Sequence, residues 1–257
     1  MRIITAFFMA WGNFLAVPCP LKRWDDNLKN IMLAMLPSVG AVAGGLWIFV
    51  IWLLRLLDGP DSVSAFLAVL AMFMITGLIH LDGYMDVSDA ILSRRPLEER
   101  QRIMKDSVVG AFAVIAVALL LIGWYSALHV LLKKAPLTYL FMIPVMSRSL
   151  SGIELNLSRM IGHSQYKETF SDRRHSGFIA VLLGQLAIHI TVSLCLHLLL
   201  CTNSYIFPSH ILFQTLTALL AARFAKQQLG GMSGDIAGYV ICVSELASAL
   251  WLAFIIQ

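Results

Sequence analysis

Charged residues are scarce in this chain, and their scarcity excludes an ordinary soluble domain. Asp, Glu, Lys and Arg make up 13% of the 257 residues, whereas hydrophobic residues make up 59%. A typical soluble domain is about 25% charged. Mean hydropathy is +0.80, so too little polar surface remains to cover a soluble fold. The composition therefore indicates an integral membrane protein.

The long alternation of polar and apolar residues that marks a transmembrane β-barrel is also missing. The apolar residues instead form continuous runs near the ~20 residues that a helix needs to cross a bilayer. Backbone groups in lipid must hydrogen-bond internally, so helices are the remaining solution. We predict an all-α polytopic bundle of six or seven transmembrane helices, in one domain over residues 1–257. The predicted spans are residues 32–57, 62–81, 107–132, 136–157, 177–202, 206–224 and 236–256.

The N-terminal apolar run, residues 3–17, is shorter than the other runs and is followed by Pro18-Cys19-Pro20. A secretory signal peptide would have a small-residue cleavage site and a soluble domain after it. We therefore expect an interfacial helix that lies at, or partly within, the membrane.

Cysteine pairs with metal or redox spacing are absent, as are motifs that read a nucleic-acid groove. The four cysteines have no CxxC spacing and mostly lie in apolar runs, so we expect small core residues and no disulfide framework. No nucleic-acid partner is predicted, because the net charge of +4 mainly reflects loop charges. The cysteines are Cys19, Cys195, Cys201 and Cys242.

Lys and Arg are unevenly divided between the two sets of connections. Fifteen lie in the N-terminal segment and in the connections after the second, fourth and sixth predicted spans, against three in the alternate connections. Positively charged loops stay on the cytoplasmic side. The sequence thus predicts a multi-pass protein of the prokaryotic inner membrane, with the N-terminus and the three basic connections in the cytoplasm.

Three carboxylates crowd the cytoplasmic end of one apolar run. If the chain stays helical there, Asp82, Asp86 and Asp89 lie at i, i+4 and i+7, within about 60° of one another on one face. Carboxylates beside hydrocarbon indicate a functional site, and a divalent cation would relieve their mutual repulsion. Hard oxygen ligands suit Mg²⁺, so we predict a site for one or two Mg²⁺ ions. The alternative interpretation is a solvated loop after a span.

Two neighbours of these carboxylates are further candidates for the site. His80 is two residues from Asp82 and could take part in proton transfer. Gly83 lacks a side chain and would let a substrate approach the backbone closely.

The connection over residues 93–107 has the pattern of a short amphipathic surface helix, with acids early and bases late. Arginine presents a fork that matches phosphate oxygens, so this segment could hold a diphosphate. Ordinary interfacial charge is the alternative. Asp106 and Ser107 are also predicted to cap the third span, and capping explains Asp106 as well as catalysis does. The candidate binding residues are Arg94, Arg95, Arg102, Lys105, Asp106 and Ser107.

A glycine-rich turn precedes the last span, and an arginine interrupts the fourth. Backbone amides around Gly231, Gly234 and Asp235 could bind phosphate ahead of a helix start, although Asp235 could equally be only an N-cap. Arg148 lies in an otherwise apolar span, where a charge is seldom without a role. We weigh two roles for it equally: a structural pair with Glu154 or with the aspartates, and binding of substrate phosphate.

Several ordered blocks of the chain resemble the cobalamin synthase family, the adenosylcobinamide-GDP ribazoletransferases. They are residues 14–20, 36–40, 76–89, 103–110 and 230–235, so the resemblance covers most of the chain. Some positions differ from the usual family pattern: Tyr84 and Met85 replace Leu-Ala, Ala90 replaces Gly, Met232 and Ser233 replace Leu-Thr, and Ser147 precedes Arg148 where Gly is common. All the carboxylates are present.

The resemblance implies a Mg²⁺-dependent transfer of a phosphate group at the membrane. A hydroxyl of α-ribazole, or of its 5′-phosphate, would attack the cobinamide-linked phosphorus of adenosylcobinamide-GDP and expel GMP. Mg²⁺ on Asp82, Asp86 and Asp89 would neutralise the diphosphate, while arginines and the glycine-rich turn hold the remaining charge. An aspartate or His80 would take the proton. Membrane lipid is an expected partner, and a homo-oligomer is compatible with the sequence.

Two other functions fit parts of the pattern. CDP-alcohol phosphotransferases also cluster aspartates at a helix end, but they have Ala-Arg where this chain has Met85-Asp86. A cation-coupled transporter would place ionisable groups near the midplane and often contain repeated halves. No internal repeat is present here, and the acids gather at one end.

Overall fold

The computed structural model describes residues 2–161, 164, 176–200 and 205–256. These residues form helices and no β-strand, which confirms the all-α prediction. A 3₁₀ helix covers Asp26–Leu28. The α-helices in this part of the chain are α1 (Arg2–Phe14), α2 (Lys29–Ala34), α3 (Leu36–Leu57), α4 (Asp61–Thr76), α5 (Ile79–Leu92), α6 (Leu97–Ile103), α7 (Ala111–Lys134), α8 (Leu137–Leu157), α9 (Ser176–Leu200), α10 (Ile206–Leu229) and α11 (Gly234–Ile255).

Four helices are long and apolar enough to cross a membrane: α3, α7, α9 from Gly177, and α11. Helices α4 and α5 qualify only as a pair, which is bent by 94°, so the described residues give up to five such spans where six or seven were predicted. Helices α8 and α10 match the other two predicted spans in position. They fall short of this apolar criterion because they carry polar side chains such as Arg148, Gln214 and Lys226. The multi-pass class is confirmed.

The bundle centre contains a buried ion pair. Helix α8 packs against α3, α9, α10 and α11. Arg148 of α8 pairs with Glu245 of α11, and Ser147 Oγ donates to the same carboxylate oxygen at 2.6 Å. Arg148 is 1% exposed and Glu245 3%. The partners predicted for Arg148 are therefore wrong: Glu154 instead pairs with Lys226 at 2.5 Å.

The predicted span over residues 62–81 is not one helix. Helix α4 ends at Thr76, and α5 begins at Ile79 after a sharp bend. Gly77 and Leu78 both adopt left-handed backbone angles, with φ of 66° and 64°. The Ala16 amide donates to the Ile75 carbonyl at 2.9 Å, so the segment after α1 contacts the bend. A left-handed glycine ends a helix at low cost, and the carboxylates therefore lie on a separate helix.

Charged groups lie at opposite ends of α3. At its C-terminal end, Lys133 pairs with Asp58 and Asp61 at 3.0 and 2.9 Å. At its N-terminal end, Leu36 lines a cavity together with Asp82. A helix of 22 residues is about 33 Å long. The Lys133 ion pairs and the cavity with Asp82 therefore lie at opposite ends of the bundle, as the division of the basic loops predicts. Lys167, Arg173 and Arg174, which entered the loop-charge prediction, lie outside the described residues.

Helix α1 is a short helix on the outside of the bundle. Its 13 residues extend about 20 Å, less than the ~30 Å hydrocarbon layer. It buries Met9 and Phe14 while Ile3 and Ile4 stay exposed, and its interfacial position stays a prediction.

The cysteine prediction is confirmed in part. Cys242 is buried, but Cys19 is half-buried and Cys195 is exposed. Cys201 lies outside the described residues. The three described cysteines form no disulfide, as predicted.

Removing one partner of the buried ion pair should destabilise the protein strongly. We expect Glu245→Gln to cost about 3–5 kcal/mol, because Arg148 would keep a buried charge without a counterion. The matched control is Glu99→Gln, whose pairs with Arg95 and Arg102 are exposed and worth at most about 1 kcal/mol. Thermal unfolding in detergent measures both. Equal melting temperatures for the two variants would contradict this account.

Candidate active site

Helices α5 and α11 cross with their backbones in contact. A Cβ atom on Gly83 would lie 2.8 Å from both the Cα atom and the carbonyl oxygen of Asp235, and one on Gly238 would lie 3.0 Å from the His80 carbonyl oxygen. Only glycine permits so close an approach. Gly83 thus serves helix packing, and close approach of a substrate to its backbone stays a prediction. The spacing of Gly234 and Gly238 is the small-xxx-small pattern of close helix pairs.

This crossing forms one wall of a cavity of about 220 Å³, here called the α5–α11 cavity. Its polar lining residues are His80 and Asp82 of α5, Ser151 of α8 and Asp235 of α11. The other lining residues are mainly apolar: Phe14, Leu36, Ile79, Leu155, Gly234, Ala237, Gly238 and Ile241. Four predicted site residues, His80, Asp82, Gly234 and Asp235, therefore meet in one place.

The carboxylate stripe, defined as Asp82, Asp86 and Asp89, follows one face of α5 as the helical spacing predicted. Asp82, Asp235 and Asp89 all act electrostatically on Asp86. Among the described residues, no Lys or Arg forms an ion pair with Asp82 or Asp86. The negative charges of Asp82 and Asp86 are therefore not neutralised by a Lys or Arg in this part of the chain, which is the situation that a bound cation relieves.

Asp89 also has a structural role. Its Oδ1 accepts the backbone N–H of Ala113 at 3.3 Å, so Asp89 satisfies an amide in the first turn of α7 from a neighbouring helix. The residues predicted to cap this helix do not. Helix α7 begins at Ala111, whereas Asp106 Oδ1 accepts from the Val108 amide at 3.1 Å within the connecting loop. Asp106 and Ser107 are exposed and do not line the cavity.

The basic connection forms a surface helix, as predicted, but it lies beside the cavity and does not line it. Arg94, Arg95, Arg102 and Lys105 are all exposed. Arg95 and Arg102 both lie near Glu99, at 3.9 and 3.4 Å. Arg100, which was not a candidate, fixes α6 to the end of α10: its guanidinium donates to the Gln228 carbonyl at 2.9 Å.

The glycine-rich turn, residues 230–235, has structural roles that were not predicted from the sequence. Gly230 ends α10 with φ of 82°, and the Ser233 side chain accepts from the Ile236 amide to begin α11. Within the turn, the Met232 amide donates to the Arg159 carbonyl at 2.8 Å. Gly231 packs against the same carbonyl. Of the turn, Gly234 and Asp235 alone line the cavity.

Arg148 does not line the α5–α11 cavity. Its guanidinium is buried against Glu245, which gives it a structural partner, and its binding of substrate phosphate stays a prediction. Arg148 is close enough to act electrostatically on His80.

Comparison with known proteins identifies the family. The sequence profile of the cobalamin-5-phosphate synthase family matches residues 6–253. The chain belongs to this family. It is 35% identical over 251 residues to an adenosylcobinamide-GDP ribazoletransferase of Clostridium perfringens, covering 97% of this chain and 98% of the relative. Similar enzymes of Clostridium botulinum and Halalkalibacterium halodurans are 31% and 35% identical, covering 95% and 87% of this chain and 95% and 85% of the relatives. No solved structure matches the chain.

One departure from the usual family pattern has a structural explanation. Tyr84 stacks on Tyr239 of α11, with ring centroids 5.7 Å apart, and its hydroxyl donates to the Ala116 carbonyl of α7 at 3.3 Å. Tyr84 does not line the α5–α11 cavity. The tyrosine therefore joins three helices.

The oxygen ligands at the site fit Mg²⁺ in their chemistry. They are carboxylates close enough to repel one another, and Mg²⁺ is commonly held by one or two carboxylates completed by water and phosphate oxygens. Within the described residues, no three His, Cys, Asp or Glu side chains are grouped as a complete metal site. The residues thus fit a metal that shares its coordination with a phosphate substrate, and Mg²⁺ binding stays a prediction.

Eight of the twelve lining residues were missed as site candidates, and Phe14, Leu36 and Ser151 show why. Phe14 and Leu36 begin two of the blocks that carry the family resemblance, yet their apolar side chains gave no chemical signal. Ser151 lies in a serine-rich stretch of α8, where nothing distinguishes it from Ser147 or Ser149. Only the packing of α1, α3 and α8 around α5 brings them to the cavity.

Adding a methyl group at the crossing should separate α5 from α11. We expect Gly83→Ala to destabilise the protein by about 1–3 kcal/mol, because the new Cβ would overlap the Asp235 backbone. Gly45→Ala is the matched control: it is also inside a helix but has no neighbour within 4 Å, and its effect should stay below about 1 kcal/mol. Thermal unfolding in detergent compares them. If the Gly83 variant is as stable as the control, the close crossing is not real.

Proposed function

We propose that the protein transfers the adenosylcobinamide phosphate group of adenosylcobinamide-GDP to α-ribazole, or to its 5′-phosphate, and releases GMP. The observation that carries this proposal is the meeting of His80, Asp82 and Asp235 in one cavity at the α5–α11 crossing, next to the rest of the carboxylate stripe. Support also comes from the relatives, which are named adenosylcobinamide-GDP ribazoletransferases and are similar over nearly their whole length.

The reaction forms one phosphorus–oxygen bond and breaks another. A ribose hydroxyl oxygen attacks the phosphorus that carries the cobinamide. The bond from this phosphorus to the bridging oxygen of the diphosphate breaks, and GMP leaves with that oxygen. Asp82 and His80 both line the cavity, so either side chain can accept the hydroxyl proton and pass it to solvent.

The carboxylate stripe, Asp82, Asp86 and Asp89, is proposed to hold one or two Mg²⁺ ions, with phosphate oxygens of the substrate completing the coordination because no three of its side chains are grouped around one point. When bound, Mg²⁺ would neutralise the diphosphate and stabilise charge on the leaving phosphate. Asp89 would contribute the oxygen that does not accept from Ala113. Asp235, in the first turn of α11, adds a fourth carboxylate to the same region.

The exposed basic residues of α6 and its flanks are proposed to attract the donor. Arg94 and Lys105 are exposed and form no ion pair within the described residues. A basic surface beside a diphosphate site raises the local concentration of an anionic nucleotide. We assign these residues to capture of the donor rather than to the chemical step.

The site is proposed to face the cytoplasm of a prokaryotic cell, where nucleotide substrates are present. The structure groups the carboxylate stripe with the basic α6 at one end of the bundle, opposite Lys133. The excess of Lys and Arg in the loops of that end supports a cytoplasmic position.

Neutralising the stripe should abolish turnover. We expect Asp82→Asn and Asp86→Asn each to lower the rate of GMP release by at least about 100-fold, since each removes charge stabilisation at the diphosphate. The control is Glu98→Gln, an exposed carboxylate of α6 outside the stripe, which should keep wild-type turnover. Purified protein, both substrates and chromatographic detection of GMP suffice. Unchanged turnover in both stripe variants would refute the proposed site.

Removing divalent metal should also abolish GMP release, and this loss should be reversible. We expect EDTA to stop GMP release and added Mg²⁺ to restore it, because the diphosphate would otherwise face uncompensated carboxylates.

The same assay should show no turnover when a CDP-alcohol replaces the donor. Full activity in EDTA would contradict the metal assignment. Turnover of the CDP-alcohol, or uptake of cobinamide by proteoliposomes without GMP release, would favour the rival functions.

A further inference from the structure

The α5–α11 cavity is lined by two chemically different sets of residues. His80, Asp82, Ser151 and Asp235 are polar, while Phe14, Leu36, Leu155 and Ile241 are apolar. A pocket lined in this way suits a ligand with one flat apolar part and one hydroxyl-bearing part. A bare diphosphate has no apolar part that the apolar residues could contact.

His80 is a buried group that requires a partner. It is 8% exposed, and its Nε2 atom has no hydrogen-bond partner among the described residues. An unsatisfied buried polar atom costs about 1–3 kcal/mol. The nearby Ser151 hydroxyl donates to the Ala237 carbonyl at 3.3 Å, which leaves its oxygen able to accept a hydrogen bond. A hydroxyl group entering the cavity could bond to both side chains.

The cavity volume limits what can enter. At about 220 Å³, it is at the small end of the size range of ligand pockets. A corrinoid is far larger than this, so the donor must stay outside with its diphosphate on the carboxylate stripe. Asp82 is exposed and also lines the cavity, so it lies where an inner and an outer ligand would meet.

We propose that the α5–α11 cavity is the acceptor pocket, which binds the ribazole nucleoside before transfer. The flat base packs against Phe14, Leu36 and Leu155, and the ribose hydroxyls bond to His80 and Ser151. This assignment rests on the proposed transferase function. It also makes residue 155 a determinant of which base the protein accepts.

The test uses the full-length protein in lipid nanodiscs, with KM measured separately for each substrate. Leu155→Phe enlarges an apolar lining residue and should raise KM for ribazole at least about tenfold, which corresponds to a loss of about 1.4 kcal/mol. KM for adenosylcobinamide-GDP should change less than about twofold. Leu157→Phe, in the same helix but 45% exposed and outside the cavity, is the matched control.

A second pair of variants examines the polar lining residues and is less disruptive to folding. Ser151→Ala should raise KM for ribazole about 3- to 10-fold, the effect of one lost hydrogen bond. Ser149→Ala, whose hydroxyl bonds only to the Val145 carbonyl of its own helix, should not. Calorimetric titration of ribazole without donor should show the same ranking, independently of turnover.

The preference of each variant for larger or smaller bases is the third measurement. A general structural defect would not change this preference. Leu155→Ala should shift preference toward ribosides with larger bases, and Leu155→Phe toward smaller ones. Equal changes in KM for donor and acceptor, or no shift in base preference, would overturn the acceptor pocket while leaving the transferase intact. Absence of GMP release from wild-type protein with both substrates would instead refute the proposed function itself.

Discussion

The close crossing of α5 and α11 determines where every group proposed for chemistry lies. Because Gly83 has no side chain, the Asp235 backbone can contact α5 directly, and Asp82, Asp235 and His80 converge on one cavity. The bend at Gly77 and Leu78 is the second requirement, since it turns the carboxylate stripe away from the direction of α4. A straight helix through this region would continue the span and carry the charges along its axis.

The buried charges at the bundle centre and the carboxylates of α5 have different surroundings. Arg148 and Glu245 neutralise each other in the centre of the bundle, which an apolar surrounding demands of buried charges. Asp82 and Asp86 form no ion pair within the described residues and remain partly or fully exposed. Glu154, by contrast, is paired with Lys226. This contrast supports the proposal that Asp82 and Asp86 bind a ligand.

Sequence reasoning predicted the helical class, the helical spacing of the carboxylate stripe and the surface helix α6, because each depends on local periodicity and on the cost of placing charge in lipid. It failed where partners come from distant segments. The ion pair of Arg148 spans 97 residues, and Ala113 is capped by Asp89 from another helix. Gly83 shows the same limit: its small size was noticed, but its contact with a second helix was not predicted. The Gly234–Gly238 spacing was the one available signal for that contact.

The central claim is that the protein joins two substrates at one site rather than hydrolysing one of them. It is tested most directly by incubating purified protein with adenosylcobinamide-GDP, α-ribazole and Mg²⁺, and measuring both products by mass spectrometry. The account predicts GMP and a ribazole-containing corrinoid in equal amounts, with neither formed when ribazole is omitted. Release of GMP without the joined product, or no reaction at all, would contradict it.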